Sequence, residues 1–253
     1  MELIASGRTA EVFAWDDGRV LKLDRPEWNG LAAMEAAALA IVTAAGVPAP
    51  RPYEMVMVGD RHGLVLERID GPMLREVIAS ASESDLEALA WTWVEMHASL
   101  NTRDVPGLPD LVSSIGDGIR ASGLAPGVID DLVALLAELD DGRRVLCHFD
   151  LHPGNVIVGP DRWVVIDWMT ASSGPPDADF ARTVLLDSRN SKSRLARFGV
   201  AVRREGMRRR GLDDRRLNAW LRVIAAARLA EGFGGDHARF LTGLASGARR
   251  LDG

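Results

Sequence analysis

One stretch near the middle of the chain constrains it more than any other. Residues 148 to 155 read His148-Phe149-Asp150-Leu151-His152-Pro153-Gly154-Asn155, the densest cluster of polar side chains in the sequence. The cluster lies between two short apolar runs, Val145 to Cys147 and Val156 to Val158, and a third run, Trp163 to Ile166, ends on another acid, Asp167. Runs of this length, rich in β-branched residues and broken by turn residues, read as strands. Pro153-Gly154 argues against a helix across the loop. His148 and His152 therefore do not share a helix face with Cys147, and a zinc site there would in any case want more His or Cys than the loop offers.

The rest of the chain surrounds this centre with two different textures. Before residue 70 the runs Leu3 to Ser6, Glu11 to Trp15 and Arg19 to Leu23 are separated by Gly7-Arg8-Thr9 and Asp16-Asp17-Gly18, which are hairpin signals. An alanine-rich run, Leu31 to Ala45, stops at Gly46-Val47-Pro48 and predicts a helix, and two more strands are expected at Tyr53 to Val58 and Gly63 to Ile69. Asp70-Gly71-Pro72 then punctuates the chain. Beyond it the periodicity is chiefly helical, at Ser84 to Leu100, at Pro126 to Leu139, and from Asp177 to the C-terminus with breaks near Gly211 and Gly234. The expected class is α+β with two lobes: residues 1–70 as an antiparallel sheet with one helix, and residues 71–253 as a mainly helical lobe. Asn101 to Gly123, rich in Gly, Pro, Ser and Asp, is expected to be a loop and a candidate lid.

Composition narrows the partners. With 253 residues and 47% hydrophobic residues the chain can bury a real core. A single cysteine, Cys147, and an N-terminus without a basic export signal fit the cytoplasm, and the longest apolar stretch, Leu31 to Val47, is too short to span a membrane. Of the 30 basic residues only Lys22 and Lys192 are lysine, so a lysine on an apolar strand asks for a specific anion. Charge is uneven as well: from Asp187 onward 16 basic residues face 7 acidic ones, which suggests that the two parts of the chain meet different partners. No aromatic interleaving or known module supports nucleic-acid binding by the arginine-rich end.

The polar cluster has the spacing H-x-D-x-x-x-x-N, and its residue types suit phosphoryl transfer to a hydroxyl. An acid must accept the hydroxyl proton, while an amide oxygen and a second carboxylate must hold hard magnesium ions against phosphate oxygens. Asp150 is the candidate base, and Asn155 and Asp167 are the candidate metal ligands.

With those residues in view, the sequence resembles the aminoglycoside phosphotransferase and choline kinase-like family, whose fold is that of the protein kinases. Cys147 to Val156 looks like the family's catalytic loop, with Phe149 where glycine is usual, and Trp163-Val164-Val165-Ile166-Asp167-Trp168 looks like its I-D-W segment. Asp177-Ala178-Asp179-Phe180-Ala181-Arg182 is similar to its D-P-x-x-D-L-A helix start. The resemblance makes Gly7, Arg8 and Thr9 the phosphate-covering hairpin, Lys22 the phosphate contact, Glu35 the carboxylate holding that lysine, and Glu67 and Ile69 the hinge whose backbone reads an adenine edge. It implies an ATP- and magnesium-dependent kinase acting on a hydroxyl of a small molecule. His148 is then expected to brace the loop, Asp179 to be structural, His97 to be a satisfied core histidine, and Trp91, Trp93, Trp168 and Trp220 to be core.

Overall fold

A computed structural model describes residues 1–16, 18–187 and 193–251. In chain order the elements are β1 (Leu3–Ser6), β2 (Ala10–Asp16), β3 (Arg19–Asp24), α1 (Leu31–Ala44), β4 (Pro52–Val58), β5 (Arg61–Glu67), α2 (Leu74–Ser80), α3 (Glu83–Leu100), α4 (Leu111–Arg120), α5 (Pro126–Leu139), β6 (Val145–Cys147), β7 (Val156–Val158), β8 (Trp163–Val165), β9 (Ser172–Gly174), α6 (Pro176–Asp187), α7 (Arg194–Arg210), α8 (Asp214–Leu229) and α9 (Gly235–Ala245). The chain forms two compact units, the first from Met1–Val77 with Pro153–Ala171, the second from Ile78–His152 with Ser172–Gly253. Where one boundary near residue 70 was expected, the first unit takes in a second, later segment.

In the first unit five strands form one antiparallel sheet in the order β1-β2-β3-β5-β4. Alternation along β3 buries Leu21 and Leu23 with Val65, and Phe13, Val56 and Val58 pack against them. The same period of two sends Lys22 to the opposite face. Helix α1 starts at Gly30, which has no side chain to cap it, and the buried carboxylate of Asp24 supplies the cap by accepting the N–H groups of Gly30 and Ala32. Asp24 is thereby committed to the helix and does not pair with Lys22.

The later segment folds as the hairpin β7/β8 and is tied to the N-terminal residues by main-chain bonds. Val158 N–H donates to Pro72 O and Val165 N–H to Pro48 O, both at 2.9 Å. Gly71 has φ 151°, and a Cβ there would lie 2.3 Å from Val158 O, so this close approach requires glycine.

The second unit is helical apart from the β6/β9 pair. Its α3 begins with a reciprocal cap, in which Ser82 Oγ accepts Asp85 N–H and Asp85 accepts Ser82 N–H. Trp93, Trp220, Phe180 and Phe198 fill the core, with Trp93 and Phe198 edge to face at 5.9 Å. Trp168, in the first unit, is also fully buried, but Trp91 is 55% exposed and is not a core residue. The expected loop Asn101 to Gly123 contains α4, capped by Asp110, with Leu111, Ile115 and Ile119 buried at helical spacing. Gly118 lets α4 pack closely on α8, since a Cβ would meet Ala227 Cβ at 2.9 Å.

The charge asymmetry resolves inside this unit. Arg197 pairs with Glu83, Arg204 with Glu87 and Arg209 with Glu95, so the basic face of α7 meets the acidic face of α3. Arg203 pairs with Asp214, and Arg216 with Asp177. These arginines answer acids of the same chain. Arg189 and Lys192, part of the same basic stretch, lie outside the described residues.

Candidate active site

Lysine 22 sits between two carboxylates in the first unit. Its Nζ donates to Glu35 Oε2 at 2.6 Å and to Asp167 Oδ1 at 3.0 Å. Register explains the placement: Lys22 pairs with Val12 and Leu64 in the middle of the sheet, and Glu35 lies on the buried face of α1. Burial opposes the ammonium charge, but the two carboxylates overcome it and hold Lys22 well above the usual lysine range. Glu35 is also fixed from behind, as its Oε1 accepts Trp168 N–H at 3.3 Å.

Asp167 follows β8 with φ 68°, an uncommon conformation for a residue with a side chain, and it remains partly exposed while Lys22 and Glu35 are nearly enclosed. The β7/β8 register, Val156 opposite Val165, continues as a bond from Ile166 N–H to Asn155 O at 2.9 Å. Asn155 and Asp167 are thus held at one end of one hairpin. One carboxylate and one amide oxygen suit a magnesium ion, which takes its remaining ligands from water and phosphate oxygens. Among the described residues no group of three His, Cys, Asp or Glu side chains forms a protein-only metal cage.

The other expected nucleotide contacts also lie in this unit. Gly7 N–H bonds Ala10 O at 2.9 Å to close the first hairpin, which is pinned from below where Arg25 donates to Gly7 O and Ser6 Oγ. Arg8 lies over the Trp28 ring at 5.1 Å, and Thr9 O accepts Arg25 N–H. At the end of β5, Glu67 N–H goes to Arg51 O, but Arg51 N–H returns to the Glu67 carboxylate and not to its carbonyl. The Glu67 peptide oxygen therefore stands outside that exchange. Ile69 falls two residues beyond the strand end.

Asp150 belongs to the second unit, where its loop is held by a buried carboxylate. Asp179, near the start of α6, accepts Phe149 N–H at 2.7 Å, His148 N–H at 3.3 Å, Asn101 Nδ2 at 2.9 Å and His97 Nε2 at 2.8 Å. Burial alone would raise its pKa; the His97 ring, the Asn101 amide and the Phe149 N–H reverse that and hold the carboxyl far below the usual range. His97 is kept neutral chiefly by burial and donates from Nε2. His148 is fully buried, and its Nδ1 accepts Asp150 N–H at 3.2 Å, which makes it a brace of the loop. Phe149 takes φ 61°, the conformation for which glycine is the usual choice. Cys147 is buried against the Gly174 and Val145 carbonyls, and burial pushes its thiol up.

Around Asp150 the structure shows groups that had no assigned role in the sequence. Arg182 Nη2 lies 3.6 Å from Asp150 Oδ1, and its Nη1 donates to Glu231 Oε1 at 2.8 Å. His152 Nε2 lies 3.9 Å from Asp150 Oδ2. Arg182 interrupts the apolar run Phe180 to Leu185, and Arg228 follows three alanines; a charge inside such a run was the available signal.

The sequence matches the phosphotransferase enzyme family over residues 1–220. The chain belongs to this family. Membership makes it a phosphotransferase. Among solved structures, phosphotransferase relatives share the fold at low identity. Aminoglycoside phosphotransferase APH(4)-Ia is 18% identical with a TM-score of 0.69, over 97% of this chain and 91% of that one. Aminoglycoside-3'-phosphotransferase of type VIII is 20% identical with a TM-score of 0.62, over 89% and 91%. APH(3'')-Id from Streptomyces rimosus, in complex with ADP and streptomycin, is 20% identical with a TM-score of 0.61, over 88% and 91%. A comparison with curated proteins finds no match. No described helix of this phosphotransferase is long and apolar enough to cross a membrane.

Proposed function

We propose that the chain is an ATP- and magnesium-dependent kinase that transfers the γ-phosphoryl group to a hydroxyl of a small molecule, an antibiotic or a metabolite. The observation that carries this is Lys22 held between Glu35 and Asp167. A charged lysine fixed by one buried carboxylate, with a second carboxylate partly exposed beside it, suits phosphates and their counter-ion better than any structural need of the sheet. Solved relatives with ADP bound support the nucleotide.

In this proposal Lys22 contacts the nucleotide phosphates and Glu35 positions it, with Gly7, Arg8 and Thr9 over the phosphates. The Glu67 carbonyl and Ile69 N–H read the adenine edge. Asn155 and Asp167 hold magnesium, which when bound neutralises phosphate oxygens as charge moves between them. Asp150 orients the acceptor hydroxyl and takes its proton. Positioning and charge stabilisation supply most of the acceleration in such transfers. Only residues 168–175 separate Asp167 from α6, which leaves no room for the long activation segment of a protein kinase and favours a small acceptor.

The test is ATP turnover with and without magnesium over a panel of antibiotics, amino alcohols, sugars and hydroxy acids. Magnesium-dependent ADP release that rises with an acceptor, and that Asp150→Asn abolishes, supports the proposal. MgATP binding without turnover on any acceptor would make the chain a nucleotide-binding scaffold.

A further inference from the structure

Two buried arginines close on one carboxylate beside Asp150. The side chains of Arg182, in α6, and Arg228, in the last turn of α8, are 6% and 8% exposed, whereas Glu231, in the turn after α8, is 34% exposed. Glu231 spends one oxygen on each: Oε1 accepts Arg182 Nη1 at 2.8 Å, and Oε2 lies 3.5 Å from Arg228 Nη2. The Arg182 guanidinium lies over the Phe149 ring at 5.1 Å, and that of Arg228 over the Phe233 ring at 4.9 Å.

The charges here are not fully answered. The Nε atoms of both arginines are buried and have no hydrogen-bond partner. Burial, and then the neighbouring charge of Arg182, push Arg228 down to about 10, although Glu231 and Asp150 pull the other way. Buried cations with incomplete partners are costly, so this pair of guanidinium groups requires an anion at the position Glu231 occupies. An ammonium group would meet the opposite field. To bind it, Glu231 would have to serve a third cation or leave both arginines unpaired.

We infer that Arg182 and Arg228 form an anion-receiving subsite of the acceptor pocket, and that the acceptor is a small hydroxy acid whose carboxylate takes the place Glu231 holds. This rests on the kinase proposal, because it treats Asp150 as the base, and it names the substrate class. The resident group is the model for the ligand: a planar carboxylate that gives one oxygen to each guanidinium answers both buried cations with charge-assisted contacts. Arg182 also sets the reach. Its Nη1 faces Glu231 and its Nη2 faces Asp150, so a carboxylate in the first position places a hydroxyl only a few bonds away at the second. Glu231, half-exposed in a turn with Gly232 at φ 77°, is the group able to yield.

The experiment is calorimetric binding of glycerate, malate and gluconate to the full chain, with glycerol as the uncharged control and kanamycin as the polycation. MgATP binding is measured in the same samples. The expected result is that at least one hydroxy acid binds the wild type, glycerol does not, and Glu231→Gln tightens the hydroxy acid by about tenfold because the internal competitor has lost its charge. Arg228→Gln should abolish that binding. Because Arg228→Gln removes a buried side chain, Glu231→Gln, at a half-exposed position, carries the decision. Hydroxy-acid affinity that is absent or unchanged in Glu231→Gln overturns the inference. So does kanamycin binding that Glu231→Gln destroys, since Glu231 would then serve a cation. Loss of MgATP binding alone, with the hydroxy-acid response intact, would refute the kinase proposal and leave the subsite standing.

Discussion

Asp179 Oδ1 accepts the main-chain N–H of Phe149 at 2.7 Å, one residue before Asp150. A buried carboxylate on one helix thus sets the path of the loop that carries the candidate base, and the surrounding donors keep it ionised.

Replacing Asp179 by Asn should cost about 1–3 kcal/mol, the range for leaving a buried donor without its acceptor. The loop loses an acceptor for Phe149 and His148 while His97 keeps a buried ring nitrogen to satisfy. Urea unfolding at pH 7 measures the cost. A change below 1 kcal/mol would mean that the loop holds its shape without the carboxylate.

The same network predicts acid lability. Asp179 and His97 both have folded pKa values below their unfolded ones, so the unfolded chain binds more protons and stability rises with pH. The His97 contribution should be present above the unfolded value of about 6.5 and fall away as pH drops below it, and that of Asp179 should be lost only below about pH 4. His97→Gln should flatten the unfolding free energy between pH 7 and pH 5. An unchanged slope would show that His97 does not titrate on unfolding.

Asp150→Asn is expected to lower turnover by roughly 100- to 10,000-fold, the worth of general base assistance, with MgATP affinity near wild type. Steady-state rates and nucleotide titration separate the two. A variant that keeps a third of the rate would exclude Asp150 as the base.

Lys22→Arg keeps the charge but replaces a compact ammonium shared by Glu35 Oε2 and Asp167 Oδ1 with a planar fork. A loss of about tenfold or more in kcat/KM for ATP is expected. Asp167→Ala should remove the dependence of nucleotide affinity on magnesium, which titration with and without the ion would show.

Gly71→Ala should destabilise the protein by about 1–3 kcal/mol. Its φ of 151° and the 2.3 Å approach of a Cβ to Val158 O leave no room for a side chain. Thermal unfolding checks it; a shift within error would mean that the connection relaxes freely.

Local chemistry makes much of this legible in the sequence. The strands of the first sheet announced themselves by alternation between turn residues, and Lys22 stood out because lysine is scarce. Helix α4 did not, because Gly116, Gly118, Ser113 and Ser114 mask the burial spacing of Leu111, Ile115 and Ile119. The partners of the arginine excess are illegible for a different reason. Whether Arg204 meets solvent, a partner or Glu87 depends on how α7 packs on α3, which no local pattern encodes. The contact of Arg182 with Glu231 spans 49 positions and belongs to the same kind.

The assembly of the first unit from residues 1–77 and 153–171 limits how such a protein can be cut and recombined. A gene fragment ending at Val77 would encode Lys22 and Glu35 without Asp167, and Pro48 O would lose the Val165 N–H. The halves are therefore not cassettes that crossover at a single point can trade between relatives. Under the proposed function, new acceptor preferences would be reached more readily by substitution within residues 78–152 and 172–253, where Arg182, Arg228 and Glu231 lie, because the residues proposed to face the nucleotide are then inherited intact.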